Sequence, residues 1–384
     1  MPSPFHYSNF TKFTIFSAFA GYSFIINELT TYWLFLLLFH TQLILFGLGV
    51  VARPLIRVFV SYFTGFLSDK YNRAKLFYMT RGTAAALLFP LALAFVLKDI
   101  SLIFILYYLR VFIVELSNTI GYVAYYASVP EEVRPKAILY IRIISMGSRL
   151  AGGASWFFLY QLLHAYNLML VGFLGIMGLV FLRGFEIGGG SKRVRLTTGI
   201  NIFRKDERVR GIILTYSITD ALTYSINYLL PLLVVVLHGT DQIYGLTQVF
   251  YYTIFIIASL IMTKLHNSTK IMVMYMLSGF LLYLVLLYPS PYVLLISLSL
   301  DSFGSGIVEN FVMATITQSV GNEFLGSVLG LDTFVTSITE IGIIFLAEYL
   351  ISINVMYYVI MGVIGMSGVL IAWLLHPKLR EIKL

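Results

Sequence analysis

The chain has no cysteine, so it can build no disulfide, no thiolate metal site and no cysteine nucleophile. It is also poor in charge. Asp, Glu, Lys and Arg make up 11 % of its 384 residues, against about 25 % in a soluble domain. Its six histidines, at positions 6, 40, 164, 238, 266 and 376, all fall at the ends of apolar runs or between them, which speaks against a buried histidine relay or metal centre. No His-Glu-x-x-His occurs. Gly188–Gly190 has neither a strand before it nor Lys-Ser/Thr after it, so it is not a phosphate-binding loop. No cofactor is expected, and neither ATP-driven work nor a membrane-embedded enzyme finds residues to support it.

What remains is apolar. Hydrophobic residues make up 59 % and mean hydropathy is +0.88, so lipid rather than water is the main solvent. In lipid every backbone polar group must be satisfied within a helix or a closed barrel. The apolar runs are continuous and show no dyad alternation, which selects helices. The expected fold class is all-α integral membrane, with twelve spans near 13–37, 43–66, 76–97, 101–128, 138–162, 167–186, 210–237, 243–263, 271–288, 292–314, 326–350 and 354–375. Each has about the length needed to cross a bilayer. The Phe and Tyr residues are abundant, and most belong to lipid-facing or interfacial belts.

The few charges carry the topology. Lys70, Arg73, Lys75, Arg134, Lys136, the cations of 192–210, Lys264, Lys270 and the tail cations Lys378, Arg380 and Lys383 fall on one side of this map, while the other side holds only Lys98. Basic loops stay cytoplasmic, so the expectation is a multi-pass protein of the cell membrane with both termini inside. The net charge of +8 is spread over separate short loops, a distribution that gives nucleic acid no continuous patch. Lys12 is the only early cation and no small-residue cleavage site follows the first apolar run, so no cleavable signal is expected.

Residues 187–209 form the one sustained polar stretch. They read as a cytoplasmic linker between an N-terminal six-helix bundle, 1–186, and a C-terminal one, 210–384, with a short amphipathic surface helix over Arg204–Arg210. The even split invites a repeat. Pro130-Glu-Glu-Val-Arg-Pro135 and Gly321-Asn-Glu-Phe-Leu-Gly326 stand at matching places, after the fourth helix of each half.

A short charged turn, Gly65-Phe-Leu-Ser-Asp-Lys-Tyr-Asn-Arg-Ala-Lys75, joins the second and third spans. Gly65, Leu67, Asp69, Arg73 and Lys75 resemble the loop 2–3 signature of the major facilitator superfamily, with Asn72 and Ala74 at positions where that signature has glycine and a basic residue. Arg110 resembles that superfamily's helix-4 arginine, and Pro130–Pro135 its Pro-x-x-x-Arg-Gly loop. Ala52-Arg53-Pro54-Leu55 is similar to a segment of the metabolite–proton symporters, with either Arg53 or Arg57 at the arginine position. The resemblance covers the whole chain. It implies the major facilitator fold, in which two six-helix bundles rock about a central cavity lined by helices 1, 4, 7 and 10, in a protein that works as a monomer. It also implies a conformational gate made by Gly65, Asp69 and Arg73 against helix 11, where Asp332 is the local partner.

An ionisable side chain at mid-bilayer costs about 2.5–3.5 kcal/mol on insertion scales, so each is a functional candidate. At a rise of about 1.5 Å per residue, Arg57 lies roughly 18 Å from Asp69, near mid-depth. Arg110, Arg149, Asp220 and Asp301 fall at similar depths. The first half buries Arg53, Arg57, Arg110, Arg142 and Arg149 against Glu28 and Glu115; the second buries Asp220, Asp301, Glu309, Asp332, Glu340 and Glu348 and no basic residue. Simple pairing between helices is the modest reading of such charges, and for Glu28 and Glu340 an outer gate. Polar stripes favour a wet face. Ser217, Asp220, Tyr224 and Asn227 share one side of the seventh span, and Asp301, Ser305 and Glu309 one side of the tenth. Gly152-Gly153 is read as close helix packing.

The expected activity is secondary transport of a small organic solute by alternating access, without enzymatic chemistry. The favoured form is proton-coupled symport of an organic anion, with Arg53, Arg57, Arg110, Arg149, Tyr224 and Asn227 as substrate-binding residues and Asp220, Asp301 and Glu309 as proton-coupling residues. The partners are then the solute, protons and the bilayer. A proton-driven exporter of drugs or metabolites is the alternative, and a receptor on the same scaffold a third reading.

Overall fold

A computed structural model describes residues 3–39, 42–70, 73–126, 133–185, 196–262, 268–319 and 325–375. Within these, the side chains of several helical residues lie outside the description, among them residues 61–70, Arg73 and 309–311. The described residues form helices and no strand: α1 (Ser8–Phe39), α2 (Leu43–Lys70), α3 (Arg73–Ala86), α4 (Leu88–Leu97), α5 (Ile100–Tyr126), α6 (Arg134–Leu163), α7 (Asn167–Val180), α8 (Leu196–Lys205), α9 (Glu207–Val236), α10 (Asp241–Met262), α11 (Ser268–Val285), α12 (Val293–Ser319), α13 (Leu325–Ile353) and α14 (Val355–Leu375).

The predicted spans reappear in this order. Nine stretches of the described residues are long and apolar enough to cross a bilayer; one of them, Tyr140–Val180, takes in two predicted spans, and the shorter apolar helices Lys270–Val285 and Val293–Val308 supply two more. The third predicted span is split into α3 and α4 by a turn at Leu87. Pro90 is the cause: it has no N–H to donate to Ala86, and its ring crowds that carbonyl. The predicted surface helix over Arg204–Arg210 is corrected. The helix is α8, which ends at Lys205, because Asp206 caps the next one. Asp206 Oδ1 accepts the Val209 N–H at 3.2 Å, and Arg210 reaches back to the Arg204 carbonyl at 3.4 Å. Asp99 and Asn354 likewise accept from the first turns of α5 and α14, at 3.0 and 2.8 Å.

By contact the chain divides into two compact units, Met1–Leu38 with Phe59–Ser191 and Phe39–Val58 with Lys192–Leu384. The first part of α2 therefore packs with the second unit. In the first unit, α1 lies close against α6. A side chain at Gly152 would meet the Tyr22 carbonyl at 2.9 Å and overlap Ile25, and one at Gly21 would meet the Ser145 carbonyl at 2.8 Å. The same seam carries Tyr22 Oη to Ser155 Oγ at 2.7 Å and Trp156 Nε1 donating to Thr30 Oγ1 at 3.0 Å. Gly152→Ala should therefore push backbone from backbone and cost about 1–3 kcal/mol. Thermal unfolding of the purified protein in detergent tests this, and a variant that melts with the parent refutes so close a seam.

In the second unit α12 is central. Gly306 lies so near α10 that a Cβ would meet the Phe255 carbonyl at 2.9 Å. Behind α9 sits a buried hydroxyl cluster. Ser225 Oγ lies 2.8 Å from Tyr358 Oη, and Tyr283 Oη donates to the Leu222 carbonyl at 2.7 Å. The Tyr283 ring fills the space a side chain at Gly362 would need, which fixes α11 and α14 against that face of α9.

Candidate functional site

The polar stripe of α9 meets two other helices within the second unit. Asn227 Nδ2 donates to Asp301 Oδ2 of α12 at 2.7 Å, and Ser305 Oγ donates to Asp301 Oδ1 at 3.4 Å. Both carboxylate oxygens of Asp301 are thus held, and the residue is 1 % exposed. On the other side Ser217 Oγ lies 2.8 Å from Thr336 Oγ1 of α13. Asp332, Thr336 and Glu340 follow one another at intervals of four, so they form one face of α13, and this contact turns that face toward α9.

Asp220 stands between these flanks. It is buried, and among the described residues its carboxylate accepts no hydrogen bond. Its charged surroundings are Glu340, Asp301, Arg57 and Asp332. Tyr224 shares the fields of Asp220, Asp301 and Arg57. Asp332 Oδ1 is buried without a hydrogen-bond partner among the described residues. The counter-charge comes from α2, where Arg57 Nη1 lies 3.6 Å from Glu340 Oε2 with side chains 27 % and 2 % exposed. Arg53, one helical turn earlier, lies with Arg57 near Tyr228. A third acid of α13, Glu348, packs on the backbone of Gly47 in α2.

Of the predicted residues, Arg57, Asp220, Tyr224, Asn227, Asp301 and Asp332 thus come together in one polar set, with Arg53 at its edge. Arg110 and Arg149 belong to the first unit. Arg110 is half-buried on α5, and the Arg149 guanidinium lies 4.4 Å over the Phe24 ring, a cation–π contact. The side chains of Gly65's neighbours, of Asp69 and Arg73 and of Glu309 lie outside the described residues, as do residues 130–132 and 321–324 of the two matched loops.

Two features escape the sequence reading. Glu340, read as an outer residue, is the ion-pair partner of Arg57. On α1, Ser23 Oγ, Asn27 Oδ1 and Thr31 Oγ1 are buried with no hydrogen-bond partner among the described residues. Their spacing of four on one helix is a signal that periodicity alone could have raised. Orphaned acceptors and donors of this kind are costly, and a polar solute or water would satisfy them.

No protein-family model and no curated protein matches the sequence. Solved structures do match the fold. The nucleoside transporter NupG aligns with TM-score 0.70 at 15 % identity, covering 95 % of this chain and 99 % of that one. A D-xylose–proton symporter aligns with TM-score 0.70 at 12 % identity, covering 98 % and 99 %. The human organic anion transporter MFSD10 aligns with TM-score 0.67 at 13 % identity, covering 97 % and 99 %. Each is named as a transporter, and the architecture they share over nearly the whole of this chain is the major facilitator fold.

Proposed function

We propose that this chain is a secondary carrier of the cell membrane, with both termini cytoplasmic, that moves a small organic solute by alternating access and couples the movement to protons. One observation carries the reading. Asp301 of α12, Asp332 and Glu340 of α13 and Arg57 of α2 all act on the charge of buried Asp220 of α9, within a membrane-spanning unit where each charge is costly unless it works. Asp220 is the proton-carrying residue of this scheme. Its carboxylate accepts no hydrogen bond among the described residues, whereas Asp301 is clamped by Asn227 and Ser305 and serves to hold the site. A proton on Asp220 removes one negative charge beside Arg57, and Arg57 then turns from Glu340 toward an incoming anion. Arg110 and Arg149 are further anion-binding residues, Tyr224 and Asn227 supply hydrogen bonds, and Gly65, Asp69, Arg73 and Asp332 are the gate residues. Proton symport and organic anions both appear in the names of proteins with this fold.

In proteoliposomes an inward proton gradient should drive uptake of a small carboxylate from a test panel, and Arg110→Ala should weaken that uptake. Uptake indifferent to the gradient removes the coupling. A second reading, proton-driven export of a cationic or amphipathic compound, has its own support, since around Asp220 the acids outnumber the arginine. Counterflow with the same panel separates the two. Carboxylates compete under the first reading, and organic cations under the second.

A further inference from the structure

The first unit holds a cleft that the transport reading does not use. It lies between the start of α3 and the turn after α7, with a volume of about 570 Å³, inside the range of about 300–1,000 Å³ typical of small-ligand sites. Lys75 and Arg183 stand at its rim, both exposed. Lys12 of α1 reaches the same rim and donates to the Gly184 carbonyl at 3.3 Å. Among the described residues no acidic side chain lines the cleft, and the first-turn N–H groups of α3 add partial positive charge. The floor is aromatic. The Phe185 and Phe77 rings lie 5.7 and 6.2 Å from Phe13, and all three are buried.

We propose that this cleft binds the phosphate headgroup of an anionic phospholipid, with its acyl chains laid along the outer faces of α3 and α7. The cations lie at the end of the apolar run of α3, where a headgroup phosphate sits, and basic pockets between spanning helices at that depth recognise anionic lipids. Beyond the rim the surface is apolar and exposed. Tyr78 and Met79 on α3 and Val180 at the end of α7 are 47, 57 and 64 % exposed. A soluble anion would use the cations and leave that surface idle; a lipid uses both. Tyr78, lining the cleft and half open to the outside, fits the boundary between headgroup and chain, where amphipathic rings are favoured.

The test uses the full-length protein in neutral detergent. Phosphatidylglycerol, phosphatidylcholine and inorganic phosphate are titrated separately, with thermal unfolding and native mass spectrometry as readouts. Phosphatidylglycerol should raise the melting temperature and stay bound in the gas phase, and phosphatidylcholine should do neither. K75Q/R183Q should weaken phosphatidylglycerol binding roughly thirtyfold and R183Q alone roughly fivefold, while R204Q/K205Q, at the end of α8, should change nothing. R183Q replaces an exposed side chain, so it serves as the test if the double variant fails to fold. The proposal is overturned if phosphatidylcholine binds as well, if phosphate alone gives the same stabilisation, if the α8 control loses as much, or if R183Q binds as the parent does.

Discussion

Asp220→Asn is expected to abolish accumulation driven by a proton gradient while solute exchange across the membrane continues. The substitution keeps the volume of the side chain and removes its ability to take up and release a proton. Because the Asp220 carboxylate accepts no hydrogen bond among the described residues, the amide leaves no donor of a neighbouring side chain unsatisfied, and folding should survive. The magnitude follows from linkage. One proton moving down a gradient of one pH unit supplies about 1.4 kcal/mol, enough for roughly tenfold accumulation of a solute carried with it. In the variant that ratio should fall to one, with counterflow preserved. Asp301→Asn should behave differently. Asp301 receives hydrogen bonds from Asn227 and Ser305, so its loss should lower thermal stability and solute affinity together. If the Asp220 variant still concentrates solute against its gradient, the proton travels elsewhere.

The second large effect is expected at Arg57. Arg57→Ala leaves the Glu340 carboxylate, 2 % exposed, without the guanidinium 3.6 Å away. Removing one member of a buried ion pair costs about 3–5 kcal/mol, most of it from the charge left behind. Arg57→Ala should therefore melt many degrees below the parent in detergent and lose transport. Arg57→Ala combined with Glu340→Gln should recover most of the stability, since the buried acid is then neutral, yet stay inactive, because the anion contact is not restored. A double variant no more stable than the single one would mean that Arg57 is held by something other than this pair. One that transports would remove Arg57 from the solute site.

The spans were legible because lipid imposes one rule along the whole chain: an apolar run of sufficient length becomes a helix, and the runs of this sequence are continuous. The caps were not read from the sequence: Asp99 and Asn354 stand in short turns between spans, and only the structure shows them accepting from the first turns of α5 and α14. What failed was local competition. Asp206 could have continued a helix or begun one, and its side chain chose the Val209 N–H. The break at Leu87 needed the clash of Pro90 with the preceding turn, which hydropathy does not register. At the site, the α9 stripe was readable from its spacing, and the structure joins Asp220, Tyr224 and Asn227 with Asp301 as neighbours. The pairing of Arg57 with Glu340 was not readable. The two are far apart in sequence on different helices, and depth along a helix says nothing about which way a side chain points. Both residues were candidates, but as separate features.

The hydroxyl cluster behind α9 has a mechanical consequence. Ser225, Leu222, Tyr283 and Tyr358 clamp one flank of that helix to α11 and α14, while the opposite flank carries the carboxylate and amide groups. A helix gripped along one side resists twisting about its own axis. A push delivered to Asp220 would then be relayed as displacement of a three-helix slab, and α9 would behave as a stiff lever whose amide protons exchange slowly along its clamped middle turns.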